Sequence, residues 1–493
     1  MTALHWMSVG DLALAIRQGS LSPVQLVEAL LDRIVRMDPL IHAFVSYDRE
    51  NALASARAAE VELASGRYRG PLHGIPVGIK DVIDVRGVAT TCHSKLRSGH
   101  VADADAAVVA QLREAGAVIL GKLATHEFAL GGPCFDMPFP PACNPWNIDH
   151  HPGGSSSGGG AALAAGLLPL AVGTDTAGSI RNPAGACGVV GLKPTYGLVS
   201  RAGIFPLAAT LDHVGPMARS VDDVRLLLQV IARRGQRGQP GYHTVNAEEP
   251  GAMGARRRLQ GLRIGFVRHF HERDMSADAE VAAALESVAT TLAQSGATVR
   301  SVELPDLKRF AAVSRILLQA EGWATHSGWL RERPQDYGSS TRRRLLPGAF
   351  LTAEDYVKSQ RHRATLIEAL QAVFREVDVL LCANAMDPPC RLDDQPMLEK
   401  TYPRQARTPF NVTGHPAIAM MAGLSREGLP LSVQFAGRYF EEMKLLRVAG
   451  VWEEIGGWRD RHPPDFDRRD GQSEDVEMPS AGRLARGGLL GRL

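Results

Sequence analysis

Cysteine is sparse and scattered in this sequence. Its 493 residues hold six, Cys92, Cys134, Cys143, Cys187, Cys382 and Cys390, and no two are spaced C-x-x-C. This excludes a zinc ribbon or a disulfide framework and favours buried structural thiols in a reducing cytoplasm. Neither sign of charge is in excess. With 55 Lys plus Arg against 53 Asp plus Glu, the net charge of +2 gives no field to attract nucleic acid. Long apolar runs are also missing: 161–172 is too short to span a bilayer and is broken by Gly166 and Pro169, so no membrane partner is expected. The opening MTALHWMSVGDLALAIRQGS has no basic segment ahead of an apolar core, so it does not read as a signal peptide. There is no H-E-x-x-H. The histidines, including His93, His100, His150 and His151, read as loop or core residues, and neither metal nor other cofactor is expected.

What is present is an ordinary globular composition, 45% apolar and 22% charged, in a chain long enough for a large core. Residues 1–65 read as helical. Ser22-Pro23-Val24-Gln25 supplies a cap, a proline at the first helical position and a capping-box glutamine before an apolar-periodic run to Val35. From 70 to 220, short apolar runs alternate with helices and Gly/Pro turns; 75–79, 118–120 and 170–172 read as strands buried on both faces. A polar Gly/Arg-rich stretch over 235–259 reads as a linker. The part from 260 to 465 opens with a β-α-β unit (262–267, 276–295, 298–302). It continues with a long helix over 353–374, strands at 377–381, 418–422 and 431–435, and a helix over 441–454. The tail 466–493 is Gly- and Arg-rich and reads as mobile. Alternating strands and helices define the α/β class with a mainly parallel sheet.

Three segments carry chemistry. In Gly74-Ile75-Pro76-Val77-Gly78-Ile79-Lys80-Asp81, a lysine closes a buried strand, where desolvation lowers its pKa and makes it a base. An exposed lysine, or a salt bridge to Asp81, is the plain alternative. In Pro152-Gly153-Gly154-Ser155-Ser156-Ser157-Gly158-Gly159-Gly160, glycines let backbone amides converge while the serines supply hydroxyls. A flexible linker and a phosphate loop compete with that reading, although the Gly-Lys-Ser/Thr ending of a P-loop is absent. In 173–183, GTDTAGSIRNP, Ser179 follows small residues on a tight turn, as exposed nucleophiles do; an ordinary turn is the alternative.

Together these segments closely resemble the amidase signature family. The resemblance runs through IPVGIKD, DAAVVAQLREAGAVILGK, NPW, PGGSSSGG, GTDTAGSIRNPAGACGVVGLKPTYG and LDHVGPMARS, and resumes in PFNVTGHPAIAM and GLPLSVQFAGR, covering about residues 8–460. It implies a single domain over 1–465 with a large mixed, mostly parallel sheet between helical layers. It also implies a catalytic triad of Ser179 as nucleophile, Ser155 as bridge and Lys80 as base. The amides of Thr176, Ala177, Gly178 and Ser179 would form the oxyanion hole, with Ser156, Asp175 and Arg181 in support. Ala177 and Ser157 stand where many members have Gly; both are small. Asp175 and Arg181 flank the turn and read as a structural salt bridge or hydrogen-bond network that holds it, with direct substrate contact as the alternative; Asn411 and Gln434, in the C-terminal match, read as making structural hydrogen bonds. Gly131, Gly132, Pro133, Phe135 and Trp146 are candidate pocket residues, and Met137 and Phe139 share their loop.

The implied activity is hydrolysis of a small-molecule carboxylic amide, with a homodimer as a common family state. The enzyme alternative is the glutaminase A-type subunit of a tRNA-dependent amidotransferase. Such subunits usually carry an Asp shortly before the counterpart of Asn411, whereas this chain reads Arg404-Gln405-Ala406-Arg407. The non-enzymatic alternative is an inactive scaffold or binding protein on the same fold.

Overall fold

The computed structural model describes residues 3–232, 259–464 and 466. The expected linker, apart from Leu259, and the tail beyond residue 466 lie outside the described residues. Eleven strands form one sheet: β1 (Phe44–Tyr47), β2 (Pro76–Lys80), β3 (Val118–Leu123), β4 (Leu170–Asp175), β5 (Val190–Lys193), β6 (His213–Ala218), β7 (Arg263–Phe266), β8 (Thr298–Ser301), β9 (Val379–Ala383), β10 (Ala417–Leu424) and β11 (Pro430–Gly437). Their order across the sheet is β1-β3-β2-β4-β6-β5-β10-β11-β9-β7-β8.

The α/β class holds, but parallel pairing is confined to two flanks, β3-β2-β4 and β8-β7-β9. The other pairings are antiparallel. Connection type accounts for three of these pairings. Helices Ala107–Glu114 and Ala279–Gln294 cross over between β2 and β3 and between β7 and β8, which keeps those strands parallel. β10 and β11 are joined by a tight turn through Gly428, whose φ of +76° suits glycine, and therefore run antiparallel. The apolar periodicity that reveals a strand carries no direction, so sequence alone did not show this.

Every residue of β2, β4, β5, β6, β9 and β11 is buried, as expected for a sheet covered on both faces. At the N-terminus the capping box forms as read: the Val24 amide donates to Ser22 Oγ, and the Ser22 amide to Gln25 Oε1. Helix Pro23–Ile41 runs past the expected stop at Val35. Helix Ser157–Ala164 is buried throughout. A Cβ on its Gly158 would collide with the Ala43 carbonyl, and one on Gly160 would press on Pro183. These glycines therefore serve close helix packing, which a flexible linker would not need. The helix Leu307–Glu332, 26 residues long, was not read from the sequence.

Candidate active site

The site lies at the carboxyl ends of the parallel strands β2 and β4, where α/β sheets commonly place their chemistry. Lys80 is the last residue of β2 and is 1% exposed. Its Nζ lies 2.8 Å from Ser155 Oγ and 2.8 Å from Thr174 Oγ1. Burial lowers its pKa to about 7, against an opposing pull from Asp175 and Asp212. Asp81, the residue after the strand, pairs instead with Lys122 at 2.9 Å. The Lys80–Asp81 salt bridge considered from sequence is not what forms.

Ser179 sits on the turn between β4 and helix Arg181–Ala186, and Ser155 in the loop before helix Ser157–Ala164. Both line one cavity. The Ser156 amide donates to the Ser179 carbonyl at 3.1 Å, tying the two loops together, and Ser156 Oγ donates to the Thr174 carbonyl at 3.3 Å. The structure joins Lys80 to Ser155 directly. No hydrogen bond links the Ser155 and Ser179 hydroxyls among the described residues.

The turn is fixed by a buried ion pair. Asp175 Oδ1 lies 2.9 Å from Arg181 Nη2, with both side chains fully buried. Arg181 also donates to the Arg407 carbonyl, to Gln434 Oε1 and to Asn411 Oδ1, while Asn411 Nδ2 donates to the Asp175 carboxylate. The Arg181 guanidinium, together with these hydrogen bonds, holds the Asp175 carboxyl well below the usual range despite its burial. The Asp175–Arg181 pair read from the sequence thus forms, and the structure adds that Asn411 and Gln434 join it in one network. One expectation changes. The Gly178 amide donates to Asp175 Oδ1 at 2.7 Å, and the Ile180 amide to Oδ2 at 3.2 Å. Gly178 is therefore withdrawn from the four amides expected to form an oxyanion hole.

The cavity has a volume of about 300 Å³. Its wall includes Gly131, Asn182, Arg315, Arg344, Tyr402 and Arg407. Of the pocket residues expected from sequence, only Gly131 lies on it. Gly132, Pro133 and Phe135 line a wider neighbouring cavity, which shares Arg344 and Tyr402 with the first. Phe135 is more than half exposed because its Pro-rich loop passes over that outer space. Trp146 lines neither: its Nε1 donates to the Cys187 carbonyl at 2.8 Å, making it a packing residue. Sequence reasoning missed Thr174, which was visible inside GTDTAGS, and Asp212, which was visible in LDHVGP. Asp212 accepts from Thr176 Oγ1 at 2.6 Å, and burial raises its carboxyl to about 6. His126 was also missed. Its ring packs against Gly154, where a Cβ would collide with it, and burial pushes it down to about 3, so it stands neutral behind the serine loop. Among the described residues, His271, Glu272 and Glu286 form one grouping with metal-ligand chemistry, but both Glu286 oxygens already accept from Arg268 at 2.7 Å.

The protein so described is an α/β chain with a buried lysine–serine pair and a clamped serine turn at the carboxyl ends of two interior strands of its sheet. Residues 25–446 match the amidase family profile, and the chain belongs to the amidase signature family of hydrolases acting on carbon–nitrogen bonds. The A-type subunit of glutamyl-tRNA(Gln) amidotransferase from Roseiflexus sp. (strain RS-1) is 37% identical over 497 residues, spanning 94% of this chain and 99% of that protein. The solved peptide amidase of Stenotrophomonas maltophilia aligns with a TM-score of 0.79 at 32% identity, over 94% of this chain and 99% of its own. A chain of a vestigial protein complex tied to the evolutionary origins of an s-triazine catabolic enzyme aligns at 0.82 and 32% identity, over 92% and 99%. Among the described residues, no helix is long and apolar enough to cross a membrane.

Proposed function

We propose that the chain hydrolyses a carboxylic amide through an acyl-enzyme on Ser179, with Ser155 and Lys80 as the proton relay. The observation that carries this reading is the 2.8 Å contact between a buried Lys80 Nζ and Ser155 Oγ, on the wall of the cavity that also holds Ser179. Neutral Lys80 takes a proton from Ser155, which takes one from Ser179. Ser179 Oγ bonds to the amide carbon, and the developing oxyanion meets the free turn amides. The carbon–nitrogen bond breaks as the relay returns its proton to the leaving nitrogen. Water then attacks the ester, giving carboxylate and restoring the serine. The missing Ser155–Ser179 hydrogen bond is consistent with catalytic contacts that tighten only when substrate binds. The intact lysine–serine pair argues against an inactive scaffold.

The pH dependence has a definite sign. Lys80 is protonated below about 7 and neutral above it, so the base form is present on the alkaline side. The rate of fluorophosphonate modification of the protein is expected to rise through about pH 7 and then level off. A flat rate from about pH 5.5 to 8.5 would exclude Lys80 as the base.

Two substrates fit this chemistry. The sequence relatives favour the glutaminase reading: A-type subunits of glutamyl-tRNA(Gln) amidotransferase match this chain over nearly its whole length. On that reading the amide is glutamine, and the ammonia passes to partner proteins. The cavity favours a free-standing amidase on a small molecule, because among the described residues no Asp or Glu lines it to receive an α-ammonium group. Either would work in the cytoplasm. Ammonia release by the purified chain separates them: turnover of small amides without partners, with glutamine inert, supports the amidase. Glutamine turnover that appears only with the partner proteins present supports the glutaminase.

A further inference from the structure

Arg407 is a cation that the clamp around Ser179 leaves without an ion-pair partner among the described residues, although Tyr402 and Asp175 act on it from a distance. Its side chain is 3% exposed and lines the cavity. It packs directly on the nucleophile turn, where a Cβ on Gly178 would collide with its Nε and Cδ. Nη1 donates to the Asn384 carbonyl at 2.9 Å, whereas Nε has no hydrogen-bond partner among the described residues. Nor is any carboxylate among them paired with it: Asp175 pairs with Arg181, and Asp387 with Arg404. Burial lowers its pKa to about 10, which leaves the guanidinium charged at neutral pH. Arg344 and Arg315 add two more guanidiniums to the same wall, which carries no Asp or Glu among the described residues.

A buried charge without a counter-ion is unfavourable, and a ligand that supplies the opposite charge removes much of that penalty. Guanidinium also matches the flat, two-oxygen geometry of a carboxylate. We propose that the cavity selects amides whose acyl group carries a carboxylate, with Arg407 as the residue that selects it. This rests on the acyl-enzyme reading of Ser179. The cavity, near the lower end of small-ligand sites in volume, limits the acyl group to a short chain such as a dicarboxylic acid monoamide. A substrate bearing an ammonium group is disfavoured among three guanidiniums.

The test is binding to Ser179→Ala, which leaves the amide intact. Malonamate, succinamate and glutaramate are titrated calorimetrically against neutral monoamides of equal length, and glutamine against glutaramate. At least one anion is expected to bind about 10- to 100-fold more tightly than its neutral counterpart, and glutaramate more tightly than glutamine. Adding Arg407→Gln should erase the preference, and adding Arg407→Lys should keep part of it, with melting curves confirming that each variant folds. Neutral amides binding as tightly as all three anions, or a preference that survives Arg407→Gln, overturns the proposal. Fluorophosphonate labelling of the parent protein keeps the two readings separate. A Ser179 adduct without charge preference sinks only the carboxylate site, and charge preference without an adduct sinks only the nucleophile.

Discussion

Ser179→Ala is expected to reduce amide turnover by about 10⁴-fold or more while leaving the fold intact, because removing a nucleophile removes the whole covalent route. The structure explains why stability should survive. The Ser179 hydroxyl makes no hydrogen bond among the described residues, the residue is only half-buried, and its turn is held by Asp175 and Arg181. Intact mass after fluorophosphonate treatment gives a readout that needs no knowledge of the substrate. One adduct on the parent and none on Ser179→Ala is the expected pair of results. An adduct that persists in the variant would move the nucleophile elsewhere.

Asp175→Ala should produce the largest loss of stability. It leaves Arg181 buried without its partner and strips an acceptor from the amides of Gly178 and Ile180. Removing one member of a buried pair typically costs about 3–5 kcal/mol. A lowered urea midpoint with an unchanged slope would register it. An unchanged midpoint would show that the turn is held by other contacts. The pH linkage has the same origin. The Asp175 carboxyl is depressed in the folded state, so its contribution is complete above the ordinary aspartate range and is lost as pH falls below about 4.

The parts of the site legible in the sequence were those lying in contiguous motifs. Ser155 and Ser179 each sit in a short run of small residues whose composition points to close backbone packing, and Lys80 closes a short apolar strand. The cavity wall was less legible, because Arg315, Arg344 and Arg407 come from separate stretches that only the fold assembles. The sequence showed at 404–407 the absence of the Asp that glutaminase subunits usually carry, but not that Arg407 would pack on Gly178 and share a cavity with Ser179. The fold divides similarly. Capped, periodic segments such as Pro23–Ile41 and Ala353–Glu376 could be read from pattern. Helix Leu307–Glu332 could not: its buried positions keep helical spacing through Leu317 and then fall on Gly322 and His326. The Gly178 amide illustrates a further limit, since a carboxylate three residues away took a donor that the motif alone left free.

The reach of Arg181 to Asn411 and Gln434 has a consequence for the order in which the protein is made. Synthesis delivers Lys80, both serines and Arg181 early, but the groups that complete the arginine's contacts leave the ribosome more than two hundred residues later. Until then the guanidinium lacks both side-chain amide oxygens that hold it, and the serine turn is not yet locked. Locking of the serine turn is thus timed to the C-terminal part of the chain, so an unfinished chain lacks these holds on the turn even though Lys80, Ser155 and Ser179 have already been made.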